Sequence, residues 1–191
     1  LNITPLNKKL DVSWGAVSAA SEYQLCLATT DISVSISEAE CLLLPNGQWQ
    51  VIDFESDTTH TFEGLSNSVE YTVRAKAINP AGSGGSLVRT GIPINNAPVA
   101  DAGEDIAIPE GSLVTLDGSQ SFDKDADEIT YQWQQTDSSG FSIDLSNPTS
   151  KNPTFTGPDI SSDTELSFEL VVTDSDGASS VADEITVTIQ H

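Results

Sequence analysis

Apolar residues recur at every second position in two runs of this chain, Tyr71, Val73, Ala75, Ala77 and Leu166, Phe168, Leu170, Val172. A period of two puts one set of side chains on a buried face and the alternate set toward water, which suits a half-buried β-strand and not a helix. Elsewhere short β-rich runs alternate with clusters of Ser, Thr, Asn, Asp, Gly and Pro, and no long stretch repeats with helical period. The chain is therefore expected to be all-β, a sandwich or barrel architecture. Strands are expected near 9–14, 22–28, 49–54, 59–62, 71–78 and 86–90, then near 98–102, 113–117, 129–134, 141–145, 154–156, 166–173 and 184–189.

Between the two groups lies GIPINNAP, residues 91–98. Pro93 and Pro98 cannot donate to a sheet ladder, and each restricts the residue before it, so the segment reads as a short, stiff connector. The expected domains are 1–93 and 94–191, each about 95 residues, a size that suits a seven-stranded sandwich.

Charge is the most unusual bulk property: 29 acidic residues against 7 basic, a net charge of −22. It is divided unevenly, with 10 acids and 5 bases in residues 1–93 and 19 acids and 2 bases in 94–191. Such a surface repels phosphate backbones and anionic headgroups, which argues against nucleic acid and leaves cations or basic partners open. Solubility or a salty habitat would explain the same bulk charge. No apolar stretch approaches the ~18 residues needed to span a bilayer, so direct membrane insertion is not expected. The chain has no methionine, even at position 1, and no signal-peptide pattern, so it reads as a piece of a longer protein.

The first half closely resembles a fibronectin type III domain. Trp14 in LDVSW stands where that family places its core tryptophan, and YQLCLATT (23–30) resembles its third strand. The most specific match is GLSNSVEYTVRAKAINPAGSG (64–84), in which Leu65 is followed six residues later by Tyr71. A tyrosine at that corner packs its ring inward while its hydroxyl bonds a nearby backbone group, pinning the crossover. No Arg-Gly-Asp is present. The second half resembles a polycystic kidney disease (PKD) domain, on APVADAG (97–103), GSLVTLDGSQSFDKDADEITYQW (111–133) and LVVTDSDGASS (170–180). After Trp133 the chain reads QQTDSSG instead of the Asp-Phe-Gly-Asp-Gly frequent in that family, which is closer to the KIAA0319-like branch. Together the resemblances imply two tandem immunoglobulin-like β-sandwiches.

Asp123, Asp125, Asp127 and Glu128 crowd one turn, SFDKDADEITYQW (121–133). An EF-hand is excluded, because counting from Asp123 puts Glu128 at the glycine position and Gln134 at the bidentate glutamate position. The PKD resemblance implies a calcium site at one end of the sandwich. Carried over position by position, its ligands would be Asn95 and Asn96 before the first strand, Asp123 and Asp125 in the turn, and Asp174 in VTDSDG. Calcium favours six to eight oxygen donors, and magnesium suits so crowded a cage less well. Ala126 replaces the glycine common in this turn. The competing reading is a solvated acidic turn, since Asp and Asn favour turns for local reasons; Asp127, Glu128 and Asp176 are read that way. Because Asn95 and Asn96 belong to the connector, an ion there would stiffen the joint.

Cys26 lies between Leu25 and Leu27, so alternation turns it outward with Gln24. Cys41 ends an irregular interval rich in Ser, Thr and acids, and a Cys26–Cys41 disulfide would tether that interval over the sheet if the protein works outside the cytoplasm. Two free thiols are the alternative. No Ser, His and Asp arrangement follows from the sequence, His60 and His191 are isolated, and zinc lacks ligands, so no enzyme is expected. Trp49 in NGQWQV is the best candidate for a carbohydrate contact, with Phe141 second; capping the core edge is the plainer role for Trp49. Asn2-Ile3-Thr4 is a glycosylation sequon, relevant in a eukaryotic source.

The reading is a non-catalytic, secreted or cell-surface module pair serving as spacer, adhesion or protein-interaction segment, with structural calcium in the second domain. Expected partners are the other domains of the parent protein and a protein or polysaccharide ligand at the cell surface. The alternative is an accessory carbohydrate-binding unit of a secreted polysaccharide hydrolase.

Overall fold

The computed structural model describes residues 1–30, 37–53, 58–137 and 139–191. Phe54, at the end of one expected strand, and residues 31–36 of the Ser/Thr-rich interval lie outside the described residues. The chain divides into two compact units, Leu1–Asn95 and Asn96–His191.

In the first unit the order is β1 (Asn2–Leu6), β2 (Lys9–Ser13), β3 (Glu22–Ala28), α1 (Glu38–Leu42), β4 (Gln48–Asp53), β5 (Thr59–Phe62), β6 (Tyr71–Asn79) and β7 (Gly82–Gly91). One sheet runs β1-β2-β5 and the other β4-β3-β6-β7, with every pairing antiparallel. The alternating run Tyr71, Val73, Ala75 and Ala77 is buried as expected, and it packs in one cluster with Leu10, Val12, Leu25, Leu27 and Phe62, each of these five at most 1% exposed. Trp14 joins them edge-on to Tyr23, ring centroids 5.3 Å apart. The tyrosine corner forms as expected, the Ser66 N–H donating to the Tyr71 hydroxyl at 2.9 Å.

The second unit contains β8 (Ile106–Pro109), β9 (Leu113–Thr115), β10 (Ile129–Gln135), β11 (Thr154–Thr156), β12 (Thr164–Asp174) and β13 (Asp183–Gln190). A four-stranded sheet runs β10-β12-β13-β8, and β9 pairs with β11 separately. Only the β13–β8 pair of this sheet is parallel, Val187 lying beside Ile106 and Gln190 beside Pro109. The core gathers on Trp133 and on Leu166, Phe168, Leu170 and Val172, the last four fully buried. Gly118 is small by necessity: a Cβ there would sit 3.0 Å from Leu170 and 3.3 Å from the Trp133 ring.

Five elements differ from the sequence expectation, the first being β1 (Asn2–Leu6), which lies outside the expected strands. Residues 98–102 form no strand beyond a single bridge between Val99 and Phe122. Side chains satisfy the main chain there instead, Ser121 Oγ accepting from the Asp101 N–H and Asp183 from the Ala102 N–H. Residues 141–145 are irregular for a similar reason: the Gln135 amide accepts from the Ile143 N–H and donates to the Phe141 carbonyl. Strand β8 was not anticipated, because only Ile106 and Ile108 carry its pattern. Helix α1 was also missed; it is five residues long and starts at a capping box of Ser37 and Glu40.

Candidate metal centre and neighbouring surfaces

Two turns shape the acidic end of the second unit. In the first, Asp123 Oδ1 accepts from the N–H groups of Asp125 at 2.7 Å and Asp127 at 3.2 Å. This curls the chain tightly enough that Ala126 takes a left-handed φ of 64°, a conformation that glycine would adopt without strain. In the second, Asp174 Oδ1 accepts from the N–H groups of Asp176 and Ala178, each at 2.9 Å. The two turns belong to neighbouring strands, since Ile129 at the start of β10 pairs with Asp174 at the end of β12.

Asp125 grips the start of the unit. Its Oδ2 accepts from the Asn96 N–H at 2.7 Å, and the Asn96 amide donates to Oδ1 at 3.0 Å. Asn95 is the last residue of the first unit and Asn96 the first of the second. Of the expected ligands, then, the structure joins Asn96 to Asp125 directly and holds Asp123 in the same turn. Asp174 is 6% exposed on the adjacent strand. Among the described residues, no three His, Cys, Asp or Glu side chains stand together as an assembled metal cage.

One atom distinguishes this turn from an ordinary solvated one. Asp123 Oδ2 is buried and meets no hydrogen-bond donor. A carboxylate oxygen removed from water without a donor is costly, and a cation would relieve it. The donors available are hard oxygens, which match calcium, and an oxygen that already accepts one N–H keeps a second lone pair. The chemistry of the set fits calcium, although the carboxylates are now engaged by backbone N–H groups and Asn96.

On the first unit, Cys26 and Cys41 are joined in a disulfide, with Cα atoms 6.0 Å apart. Cys26 does sit on the outer face of β3, yet it is only 2% exposed, because α1 lies over it. Trp49, the cross-strand neighbour of Cys26, packs half-buried into the same small cluster with Ala28, Cys41 and Leu44. Phe141 packs against the core of the second unit. His60 stacks edge-on against Phe62 at 4.7 Å, and burial pushes its pKa below the usual imidazole value. His191 lies 3.4 Å from Glu110. Neither histidine is placed beside a nucleophile in the described hydrogen bonds.

Sequence reasoning missed Asp137. Its carboxylate accepts from the N–H groups of Ser139 at 2.8 Å and Ser167 at 3.0 Å and from the Gln135 amide at 2.9 Å, stapling the loop after β10 to β12.

Residues 102–189 match the family model described as K319L-like, PKD domain. This part of the chain is a PKD domain. Among solved structures, the PKD domain of the KIAA 1837 protein is 27% identical, covering 52% of this chain and 92% of that one, with a TM-score of 0.41. A nucleoside hydrolase-related hypothetical protein from Saccharophagus degradans is 24% identical with a TM-score of 0.42; the match covers 51% of this chain but only 26% of that one. The fn3 domain of human collagen alpha-1(XX) is 20% identical, covering 49% of this chain and 82% of that one, with a TM-score of 0.37. No curated protein matches the chain. PKD and fibronectin type III domains are generally non-catalytic modules typical of extracellular proteins, and no described helix is long and apolar enough to cross a membrane.

Proposed function

We propose that the chain is a non-catalytic spacer and adhesion segment of a larger secreted or cell-surface protein, and that its PKD domain takes up calcium at the acidic end. The calcium reading is carried by the buried, donorless Asp123 Oδ2. Asp125, Asp174 and the amide oxygen of Asn96 supply further oxygens, with Asn95 adjoining and water completing the shell. Binding costs the exchange of the Asn96–Asp125 hydrogen bonds for ion contacts, so the site is assembled by the ion and its affinity is modest. A bound ion would also tie the connector to the PKD domain and stiffen the joint.

The test is thermal unfolding of the full chain in chelator, in millimolar calcium and in millimolar magnesium. Calcium at a hundred times its dissociation constant adds about 2.7 kcal/mol to the domain that binds it. The second transition should rise with calcium, rise less with magnesium, and lose the calcium response in Asp123→Asn. An unchanged second transition rejects the site. Scattering profiles that superimpose with and without calcium reject the stiffening while leaving the site intact.

A further inference from the structure

Strand β10 is an edge of its sheet, paired on one side with β12. The register shows which of its main-chain groups face outward. Val172 and Asp174 direct their N–H groups away from β10, to Ser180 Oγ at 3.1 Å and the Ala178 carbonyl at 3.0 Å. Their partners across the ladder are Tyr131 and Ile129. In an antiparallel pair, two residues opposite each other either exchange both hydrogen bonds or exchange neither. Tyr131 and Ile129 therefore turn their N–H and C=O groups outward, as does Trp133 next along the same row.

The row is covered only in part. The Trp133 N–H donates to the Pro148 carbonyl at 2.8 Å, and its carbonyl accepts from the Gln132 side chain at 3.1 Å. Among the described residues nothing meets the outward groups of Ile129 and Tyr131. An open groove of about 590 Å³ runs beside them, lined by Ile129, Thr130, Tyr131, Gln132, Thr149 and Thr173. An exposed strand edge of this kind is a template for one more strand.

We propose that this edge binds an extended, basic peptide segment of a partner protein by strand addition. Backbone pairing opposite Tyr131 and Ile129 continues the row that Pro148 begins. The sign of the partner follows from charge: Asp127 and Glu128 immediately precede Ile129, and residues 94–191 hold 19 acids against only Lys124 and Lys151. A basic strand is drawn to this edge, whereas an acidic one, or the edge of a second copy, is repelled. The inference is independent of the calcium reading.

The probe is a capped peptide of alternating lysine and valine, titrated into the isotopically labelled full chain while amide resonances are followed. Shifts should centre on Ile129 and Tyr131, and the affinity should fall as salt rises. The same peptide N-methylated at alternate residues keeps its charge but cannot form the ladder. It should bind at least about tenfold more weakly, the loss expected of one or two hydrogen bonds. Equal binding of the two peptides overturns the proposal, leaving charge attraction alone. So does equal binding of a glutamate-for-lysine peptide, which would remove the basic partner. Concentration-dependent self-association that shifts the same amides assigns the edge to a second copy and also overturns it.

Discussion

Tyr71 illustrates how much one side chain can contribute when both ends are used. Its ring lies in the core of the first unit at 2% exposure, and its hydroxyl holds the Ser66 N–H. Tyr71→Phe keeps the packing but leaves that N–H without its acceptor, so the first unit should lose about 1–2 kcal/mol in urea unfolding. This residue was legible in advance, because the Leu65-to-Tyr71 spacing carries the corner on its own. Asp137 was not legible, because its donors come from Gln135, Ser139 and, from distant sequence, Ser167. Burial alone would push its pKa up, but the hydrogen bonds from Ser139, Gln135 and Ser167 outweigh it and hold the carboxyl below the usual aspartate value. A depressed carboxyl pKa stabilises the fold fully above the unfolded value, about 3.9, and that stability is lost as pH falls through the folded value. Asp137→Ala should therefore cost about 1–3 kcal/mol near neutrality. The difference from the parent chain should begin to shrink as pH falls below the unfolded value of about 3.9, and vanish once it has passed through the lower folded value. A pH-independent difference in chemical denaturation would show that the charge of Asp137 plays no part.

Helix α1 is too short to persist alone, since an isolated helix needs roughly 12–15 residues even in favourable sequences. It holds its place through Cys41, which is bonded to Cys26 and fully buried with it under Trp49 and Leu44. Replacing both cysteines by serine should lower the stability of the first unit by about 3 kcal/mol, the closure entropy of a loop this size. Amide exchange should then accelerate in α1 while the β3–β6 ladder remains protected; unchanged protection of α1 would mean that packing alone retains it. The same element shows why alternation is an incomplete guide. Alternation places Cys26 on the outer face of β3, but burial there depends on a covering segment whose sequence carries no regular period of its own. Conversely, residues 98–102 and 141–145 have strand-like composition but no strand, because Ser121, Asp183 and Gln135 bond the main chain in place of a neighbouring ladder. At the acidic end, the residue types and their shared location could be read from the motifs. Engagement of Asp123 and Asp174 with their own turns, and of Asp125 with Asn96, requires coordinates.

For the whole molecule, the uneven charge should separate the two units in their response to salt. With 19 acids and 2 bases, residues 94–191 carry a far greater self-repulsion than residues 1–93, with 10 and 5. Raising ionic strength from 0.01 to 0.15 M shortens the screening length from about 30 to about 8 Å. The PKD transition in calorimetry should then move upward by more than the first-unit transition. Equal shifts would show that the acids are already spaced beyond one another's reach. A different consequence follows from the parallel pairing of β8 with β13, near opposite ends of the PKD domain. Tension applied to the two ends of this domain draws β8 and β13 in opposite directions along their common axis. The bonds from Ile106–Val187 to Pro109–Gln190 are then loaded together in shear and cannot be unzipped singly, so a tethered chain should yield abruptly at high force and not by gradual peeling.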